Sequence, residues 1–253
     1  MENKGSILEK NYIINSQNIN TNKKLGLFGL LGLLQDVAGE HGEKLGFGYE
    51  SSKKKGFFWV LVRQKLRINK WPNWNDLVTI KTWTKPLLGI NAIREYEIFV
   101  NEQKIGDCST TWMILDCETR KPKKIENPEN LFKPRTDYSL DYSAEKVNIQ
   151  DEMDLIKTFD VRISDLDMNN HVNNVKYTQW ILDSIPYNFH QKYIINEYEI
   201  NFLGETFLDD NIESFSNIQK LKPNDNYEVY FKGCKINETK PVFIAKIHTN
   251  SYK

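Results

Sequence analysis

The sequence has few of the residues that build disulfide frameworks or metal sites. Its 253 residues include 3 cysteines and 4 histidines. Cys108, Cys117 and Cys234 are odd in number and show no C-x-x-C spacing, and the histidines form no H-E-x-x-H pattern. We therefore expect neither a disulfide-stabilised fold nor a zinc site, and we predict no cofactor.

Long apolar runs are also missing. The longest, residues 25–34, is interrupted by three glycines and is much shorter than the roughly 20 apolar residues that cross a bilayer. The first fifteen residues lack the apolar centre and the small-residue cleavage site of a signal peptide. Because 40% of the residues are apolar, the chain has enough material for a sizeable core. We expect a folded protein of the cytoplasm.

Net charge is zero, yet its distribution is uneven. Residues 1–135 carry 22 basic and 15 acidic side chains, and the remainder carries 12 and 19. The positive charge is concentrated in two clusters, which are Lys53, Lys54 and Lys55, and then Arg120, Lys121, Lys123 and Lys124. A solvated surface and a docking site for an acidic partner both explain such clusters. Nucleic acid is not favoured, because no recognised binding motif accompanies them.

The order of predicted elements occurs twice. Apolar residues from Leu27 to Leu45 recur at three- and four-residue spacing, which predicts a long helix. Strand-like runs separated by turn residues follow it. A second helix is predicted over residues 172–185, ending at Pro186, and strand-like runs follow again. Another strand is predicted before this second helix, where Phe159, Val161 and Ile163 alternate with polar residues. This repetition indicates an α+β fold of two similar units.

The segment richest in potentially reactive side chains lies between this last strand and the second helix. Asp167, Asn169 and His171 stand at alternate positions, so in an extended chain their side chains would point to one side. A carboxylate, an amide and an imidazole would then meet unpaired N–H groups at the helix N-terminus, and together these could hydrolyse a thioester. Equally, Asp and Asn could simply cap the helix and form turns.

The segment SDLDMNNHVNNVKYTQWILDSIP resembles the signature of the acyl-ACP thioesterases, a plant and bacterial family with two tandem hotdog domains. The stretches GFFWVLVRQKLRI and NEYEINFLGET also look like segments of this family. The resemblance implies a hotdog domain with the substrate pocket in residues 1–135, a linker in residues 136–154 and a catalytic hotdog domain in residues 155–253. It implies an acyl carrier protein, loaded with a fatty acyl chain, as partner. A monomer and a homodimer both stay open.

The family's reactive residues match Asp167, Asn169 and His171, and its later catalytic glutamate matches Glu205. The resemblance implies a carboxylate that activates water, with Asn169 orienting water or substrate and His171 assisting the carboxylates. A shifted alignment would place the glutamate at Glu197 or Glu199 instead. Plant members have a cysteine directly after the glutamate, whereas this sequence has Thr206, so a thiol nucleophile is not expected.

Two rival functions, and the roles of four other residues, stay open at this point. An acyl-CoA thioesterase and a non-catalytic acyl-binding module could share the fold. His41 lies on the apolar stripe of the first helix, where a core histidine is the expectation. Trp59, Trp83 and Trp112 could line an acyl tunnel or simply pack in the core.

Overall fold

The computed structural model describes residues 6–124, 133–221 and 226–251. Two compact units divide the chain, Met1–Ala144 and Glu145–Lys253. Each contains an antiparallel sheet and one long helix, of 18 residues in the first unit and 11 in the second. The predicted α+β repeat is therefore present. None of the helices in the described residues combines the length and the apolar character that a bilayer span requires.

The first unit has five described strands and two helices. Its elements are β1 (Ile7–Ile13), α1 (Leu27–Lys44), α2 (Tyr49–Lys54), β2 (Phe57–Ile68), β3 (Leu77–Thr84), β4 (Asn91–Val100) and β5 (Gln103–Asp116). Antiparallel pairing gives the strand order β1-β3-β4-β5-β2. Strand β1 was not predicted. It lies at the edge of this arrangement with Ile7 and Ile13 exposed, so it has no clear apolar face to detect.

Helix α1 confirms the predicted apolar stripe. Its buried side chains include Leu30, Leu34 and Val37, and the helix packs against β1, β3 and α2. One glycine near its start is required by space, because a Cβ atom at Gly29 would come within 2.6 Å of the backbone oxygen of Asn18. This close approach holds the preceding loop against the helix.

Trp59, Trp83 and Trp112 are anchored within the first unit. Trp83 is fully buried and donates its indole N–H to Oε2 of Glu95 at 3.0 Å. Trp59 donates to the backbone oxygen of Phe47 at 3.2 Å, and Trp112 packs against the same core cluster as Trp59. Core packing accounts for these contacts, and a tunnel lining stays a prediction.

The second unit has five described strands, two α-helices and a short 3-10 helix. Its elements are β6 (Asp154–Asp160), the 3-10 helix (Ile163–Asp165), α3 (Asn174–Ser184), α4 (Tyr187–Lys192), β7 (Tyr193–Phe202), β8 (Asn211–Leu221), β9 (Asn226–Lys235) and β10 (Pro241–Ser251). The strand order is β7-β10-β9-β8-β6, with every pair antiparallel. Helix α3 confirms the second predicted helix, although α4 begins directly after Pro186.

The strand predicted through Ile163 is wrong beyond Asp160. The chain leaves the sheet there, and the N–H of Val161 donates to the backbone oxygen of Asp210 at 3.0 Å. Ile163 is 77% exposed and begins the 3-10 helix, so the apparent alternation does not continue into a buried face.

The segment predicted as a linker, residues 136–154, has no helix or strand before β6. It is nevertheless held along its length. The N–H of Leu140 donates to Oε2 of Glu95 at 3.3 Å, and the N–H of Val147 donates to Oδ1 of Asn201 at 2.8 Å. The boundary between the two units falls inside this segment, and the limits of the two predicted domains stay predictions.

Candidate active site

The segment that carries Asp167, Asn169 and His171 is a tight turn and not an extended chain. The N–H of Asp167 donates to the backbone oxygen of His171 at 2.7 Å, and a β-bridge joins Leu166 to Val172. The turn contains a residue in the left-handed region, Asn170, with φ of 60°. Asparagine tolerates this conformation better than most residues. The expected alignment of alternate side chains on one side therefore does not apply.

The carboxylate of Asp167 holds this turn together. Its Oδ1 accepts the N–H of Asn169 at 2.8 Å and the N–H of His171 at 3.3 Å. The turn-forming role that the sequence left open is thus one role of this oxygen. Oδ2 makes no hydrogen bond with the residues that the structure describes, and Asp167 as a whole is half-buried.

At the first turn of α3, most of the N–H groups that were expected to polarise a substrate carbonyl already donate hydrogen bonds within the protein. Asn173 caps the helix, and its Oδ1 accepts the N–H of Val175 at 3.0 Å. The backbone oxygen of Asn173 accepts the N–H of Lys176 at 2.8 Å. Within the described chain this leaves the N–H of Asn174 as the unpaired donor of the turn. The predicted oxyanion donors are thus reduced to one.

His171 and Glu205 lie together although they come from different loops. Nδ1 of His171 is 3.6 Å from Oε1 of Glu205, a separation longer than a hydrogen bond. The side chains are 21% and 33% exposed, so both reach solvent. The imidazole also meets the ring of Phe207 edge to face, with centroids 5.0 Å apart. The structure therefore places an imidazole–carboxylate pair at the surface of the second unit.

One backbone hydrogen bond joins the two loops. The N–H of Val172 donates to the backbone oxygen of Thr206 at 2.9 Å. These two residues directly follow His171 and Glu205. The loop between β7 and β8 is also braced by Asp210, whose Oδ2 accepts the N–H of Phe207 at 2.8 Å. The pair is thus built on two loops that are fastened to each other.

Asn169 is the third predicted site residue on this turn. Its side chain is exposed and makes no hydrogen bond within the described parts of the chain. It lies on the same turn as Asp167 and His171. An exposed amide on a fixed turn can donate to and accept from a bound molecule. Its part in the site stays a prediction.

The alternative glutamates lie on β7 and not beside His171. Glu199 is buried, and its Oε1 is 3.4 Å from Nζ of Lys246. Glu197 pairs in register with His248 of β10. Of these three glutamates, the one whose carboxylate lies within 4 Å of the imidazole of His171 is Glu205. The catalytic role of Glu205 stays a prediction.

His41 is part of the core of the first unit. It is 1% exposed, with Nδ1 2.8 Å from Nη1 of Arg94 and Nε2 3.1 Å from Oγ of Ser6. Burial, and then the positive charges of Arg94 and Lys44, lower the pKa of His41 to about 3. The ring is therefore neutral at physiological pH, which suits a structural histidine.

The cysteines offer no nucleophile near the site. Cys108 and Cys234 are buried and Cys117 is exposed, and none belongs to the two site loops. Burial raises the pKa of the Cys108 thiol to about 12 and also raises that of Cys234. In the described ranges, no three His, Cys, Asp or Glu side chains form a group that could hold a metal ion.

Two family models match the chain, one on each unit. The acyl-ACP thioesterase N-terminal domain matches residues 5–131, and the acyl-ACP thioesterase C-terminal domain matches residues 148–248. The two matches together span most of the chain.

Curated relatives agree with these matches. An oleoyl-acyl carrier protein thioesterase of Coriandrum sativum is 26% identical over 84% of this chain and 63% of its own length. A palmitoyl-acyl carrier protein thioesterase of Arabidopsis thaliana is 28% identical over 84% of this chain and 55% of its own length. Both relatives are chloroplastic. The chain thus spans about three fifths of the length of the curated relatives it matches.

Solved structures show the same fold. A 12:0-ACP thioesterase from Umbellularia californica superposes with a TM-score of 0.87 at 17% identity, covering 97% of this chain and 94% of the other. An acyl-ACP thioesterase from Bacteroides thetaiotaomicron gives a TM-score of 0.81 at 21% identity, covering 99% of this chain and 100% of the other. At these identities the likeness concerns the fold alone. The predicted fold class, two tandem hotdog domains, is confirmed.

Proposed function

The chain belongs to the acyl-ACP thioesterase family, and on that membership we propose that it hydrolyses the thioester of a fatty acyl chain carried by acyl carrier protein. Water adds to the thioester carbonyl, the carbon–sulfur bond breaks, and the products are a free fatty acid and the carrier's free thiol. The observation that carries this proposal is that the family matches cover both halves of the chain.

We place the general base on Glu205. Its carboxylate lies beside the imidazole of His171 and both reach solvent, so a water molecule held between them and the substrate could lose a proton to the carboxylate. His171 would then hydrogen-bond the carboxyl group of Glu205 or pass the proton to the leaving sulfur. No cysteine is required for these steps.

Three further groups complete the proposed site. Asp167 shapes the turn with Oδ1 and offers Oδ2 to water or substrate. Asn169 supplies an exposed amide that can orient the substrate. The N–H of Asn174, at the start of α3, is the backbone donor that we assign to the developing oxyanion.

The test is a hydrolysis screen with acyl carrier proteins that carry chains from octanoyl to oleoyl, following release of the free thiol. Acyl-CoA substrates with the same chains are measured in parallel. Faster turnover of acyl-ACP at matched chain length supports the proposal. Preference for acyl-CoA would make the chain a CoA thioesterase, and tight acyl binding without turnover would indicate a binding module.

Compartment and assembly belong to the same proposal. We expect the protein in the cytoplasm as a monomer or a homodimer. Fractionation of cells that produce the tagged chain, together with its mass in solution, tests both expectations.

A further inference from the structure

Thr206 connects the two residues of the proposed catalytic pair. It directly follows Glu205 and is fully buried. Its backbone oxygen accepts the N–H of Val172, the residue that directly follows His171, at 2.9 Å. The position of Thr206 therefore bears on where both His171 and Glu205 lie.

The side chain of Thr206 is held by helix α3. The hydroxyl of Tyr177 donates to Oγ1 of Thr206 at 2.8 Å, and both residues are buried. The ring of Tyr177 packs edge to face on Phe202 and Phe243, with centroids 5.6 Å away in each case. A ring confined in this way can present its hydroxyl in few directions, so the bond to Thr206 is well defined.

The electrostatic surroundings keep Tyr177 a donor. Burial raises the pKa of Tyr177 to about 12; the hydrogen bond to Thr206 opposes this rise, and the nearby carboxylates of Glu205, Asp210 and Asp167 add to it. The phenol is therefore protonated throughout the pH range in which a thioesterase would work. The same interactions show that the hydroxyl lies within electrostatic reach of both candidate bases, Glu205 and Asp167.

We propose that Tyr177 and Thr206 are positioning residues for the His171–Glu205 pair. Tyr177 fixes Thr206, and Thr206 fixes the distance between the two site loops through its backbone bond to Val172. Neither residue touches the reacting atoms in this scheme. The inference rests on the proposed function, because it assigns these residues to thioester hydrolysis at the same site.

The same helix offers a matched control. Thr178, the next residue on α3, forms a 2.7 Å hydrogen bond between its Oγ1 and the hydroxyl of Tyr198, and both residues are fully buried. This bond joins α3 to β7 and involves neither site loop. Tyr198→Phe therefore removes a buried tyrosine–threonine bond of the same kind without touching the connection between the loops.

The experiment compares Tyr177→Phe, Thr206→Val, Thr206→Ser and Tyr198→Phe with the unmodified protein. We expect Tyr177→Phe and Thr206→Val to lower kcat about tenfold with little change in KM, and to shift the acid limb of the pH profile. Thr206→Ser keeps the hydroxyl and should stay close to the unmodified protein. Tyr198→Phe should lower the melting temperature without changing kcat or the pH profile.

Hydrogen exchange of the Val172 amide gives a readout that does not need activity. Exchange should accelerate about tenfold in Tyr177→Phe and Thr206→Val, and should be unchanged in Tyr198→Phe. Unaltered exchange and kcat in Tyr177→Phe, or equal effects of Tyr198→Phe, would overturn the inference. Absence of thioesterase activity in the unmodified protein would instead overturn the proposed function, while the exchange data would still decide whether Tyr177 secures the loops.

Discussion

Nδ1 of His171 lies 3.6 Å from Oε1 of Glu205, across the junction of two loops. Catalytic hydrogen bonds are often longer before substrate is present, and we expect this distance to shorten when substrate binds. A carboxylate beside an imidazole that reaches solvent is well suited to accept a proton from water. Several expectations about the reaction depend on this one contact.

Replacing Glu205 tests the assignment of the base. Glu205→Gln should lower kcat about 10²–10⁴-fold because the amide cannot accept a proton, while the fold is retained. Glu197→Gln is the matched control, since it makes the same change on β7. Steady-state hydrolysis and melting curves are measured for both variants. If Glu197→Gln were the inactive one, the alignment of the catalytic glutamate would be wrong.

Asp167 needs two substitutions, because its carboxylate both shapes the turn and is a candidate reactive group. Asp167→Asn keeps an oxygen that can accept the N–H groups of Asn169 and His171 but removes the charge. Asp167→Ala removes both. If the charge is used in the reaction, both variants lose kcat and Asp167→Asn keeps its melting temperature. Full activity in Asp167→Asn would reduce Asp167 to a turn-forming residue.

The site shows which parts of a structure a sequence can predict. The apolar stripe of α1 was predictable, because helical periodicity is a local property. The turn at residues 167–171 was not, because hydrogen bonds from an aspartate side chain to nearby N–H groups compete with an extended conformation. Alternation of residue types alone does not reveal that competition.

Contacts between distant residues were harder still. Glu205 was chosen from a family resemblance, and spacing alone would not have excluded Glu197 or Glu199. The bond between Tyr177 and Thr206 was missed, although a signal existed. Tyr177 lies on the apolar side of α3, and a buried tyrosine hydroxyl usually has a hydrogen-bond partner. The sequence does not say which residue that partner is.

Catalysis without a thiol is a further expectation. Cys117 is exposed, whereas Cys108 and Cys234 are buried. A thiol reagent should therefore modify Cys117 in the folded protein and leave kcat for a small acyl-pantetheine substrate unchanged. The variant Cys117→Ser should be fully active and should lose this labelling. Loss of kcat on labelling that Cys117→Ser prevents, with an unchanged melting temperature, would revive a role for a thiol.

The buried His41 predicts how stability depends on pH. Its pKa in the folded protein is about 3, below the ordinary value of 6.5, so unfolded chains bind a proton that folded chains do not. Stability from this residue is complete above about pH 6.5 and is lost as pH falls toward about 3. Within that window the free energy of unfolding should fall by about 1.4 kcal/mol per pH unit because of His41.

Denaturant titrations of the unmodified protein and of His41→Gln across this window check the prediction. Because the substitution also changes packing around the ring, the quantity to compare is the slope of the unfolding free energy against pH, which should be shallower in the variant. NMR signals of the His41 ring should also show no titration near pH 6.5. Equal slopes, or a ring that titrates normally, would contradict a buried neutral histidine.

The two basic clusters of the first unit lie at the same end of one strand pair. Residues 53–55 immediately precede β2, residues 120–124 follow β5, and Phe57 pairs with Asp116 where these strands meet. The N–H of Cys117 donates to the backbone oxygen of Gly56 at 3.0 Å, and the guanidinium group of Arg120 lies over the ring of Phe58. The clusters therefore form one surface, which we call the basic end.

The last prediction is that the basic end docks the carrier protein. Acyl carrier proteins are acidic, and charges at the rim of an interface mainly raise the rate of encounter. Changing Lys53, Lys54, Lys121 and Lys124 to glutamate should lower kcat/KM for acyl-ACP and leave a small acyl-pantetheine substrate nearly unaffected. Lys123 is left in place because its ammonium group lies 3.3 Å from the carboxylate of Asp116.

The control variant changes four exposed lysines of the second unit to glutamate, which alters the net charge by the same amount. These lysines are Lys146, Lys157, Lys192 and Lys240. Salt should weaken the acyl-ACP reaction of the unmodified protein, because exposed charges are screened over about 8–10 Å, and should matter less once the basic end is reversed. A lower kcat/KM for acyl-ACP together with a weaker salt dependence is expected only of a surface that contacts the carrier protein. If the control variant lost as much kcat/KM as the basic-end variant, net charge and not docking would be responsible; if neither lost any, the lysines of the basic end would serve as solvated surface.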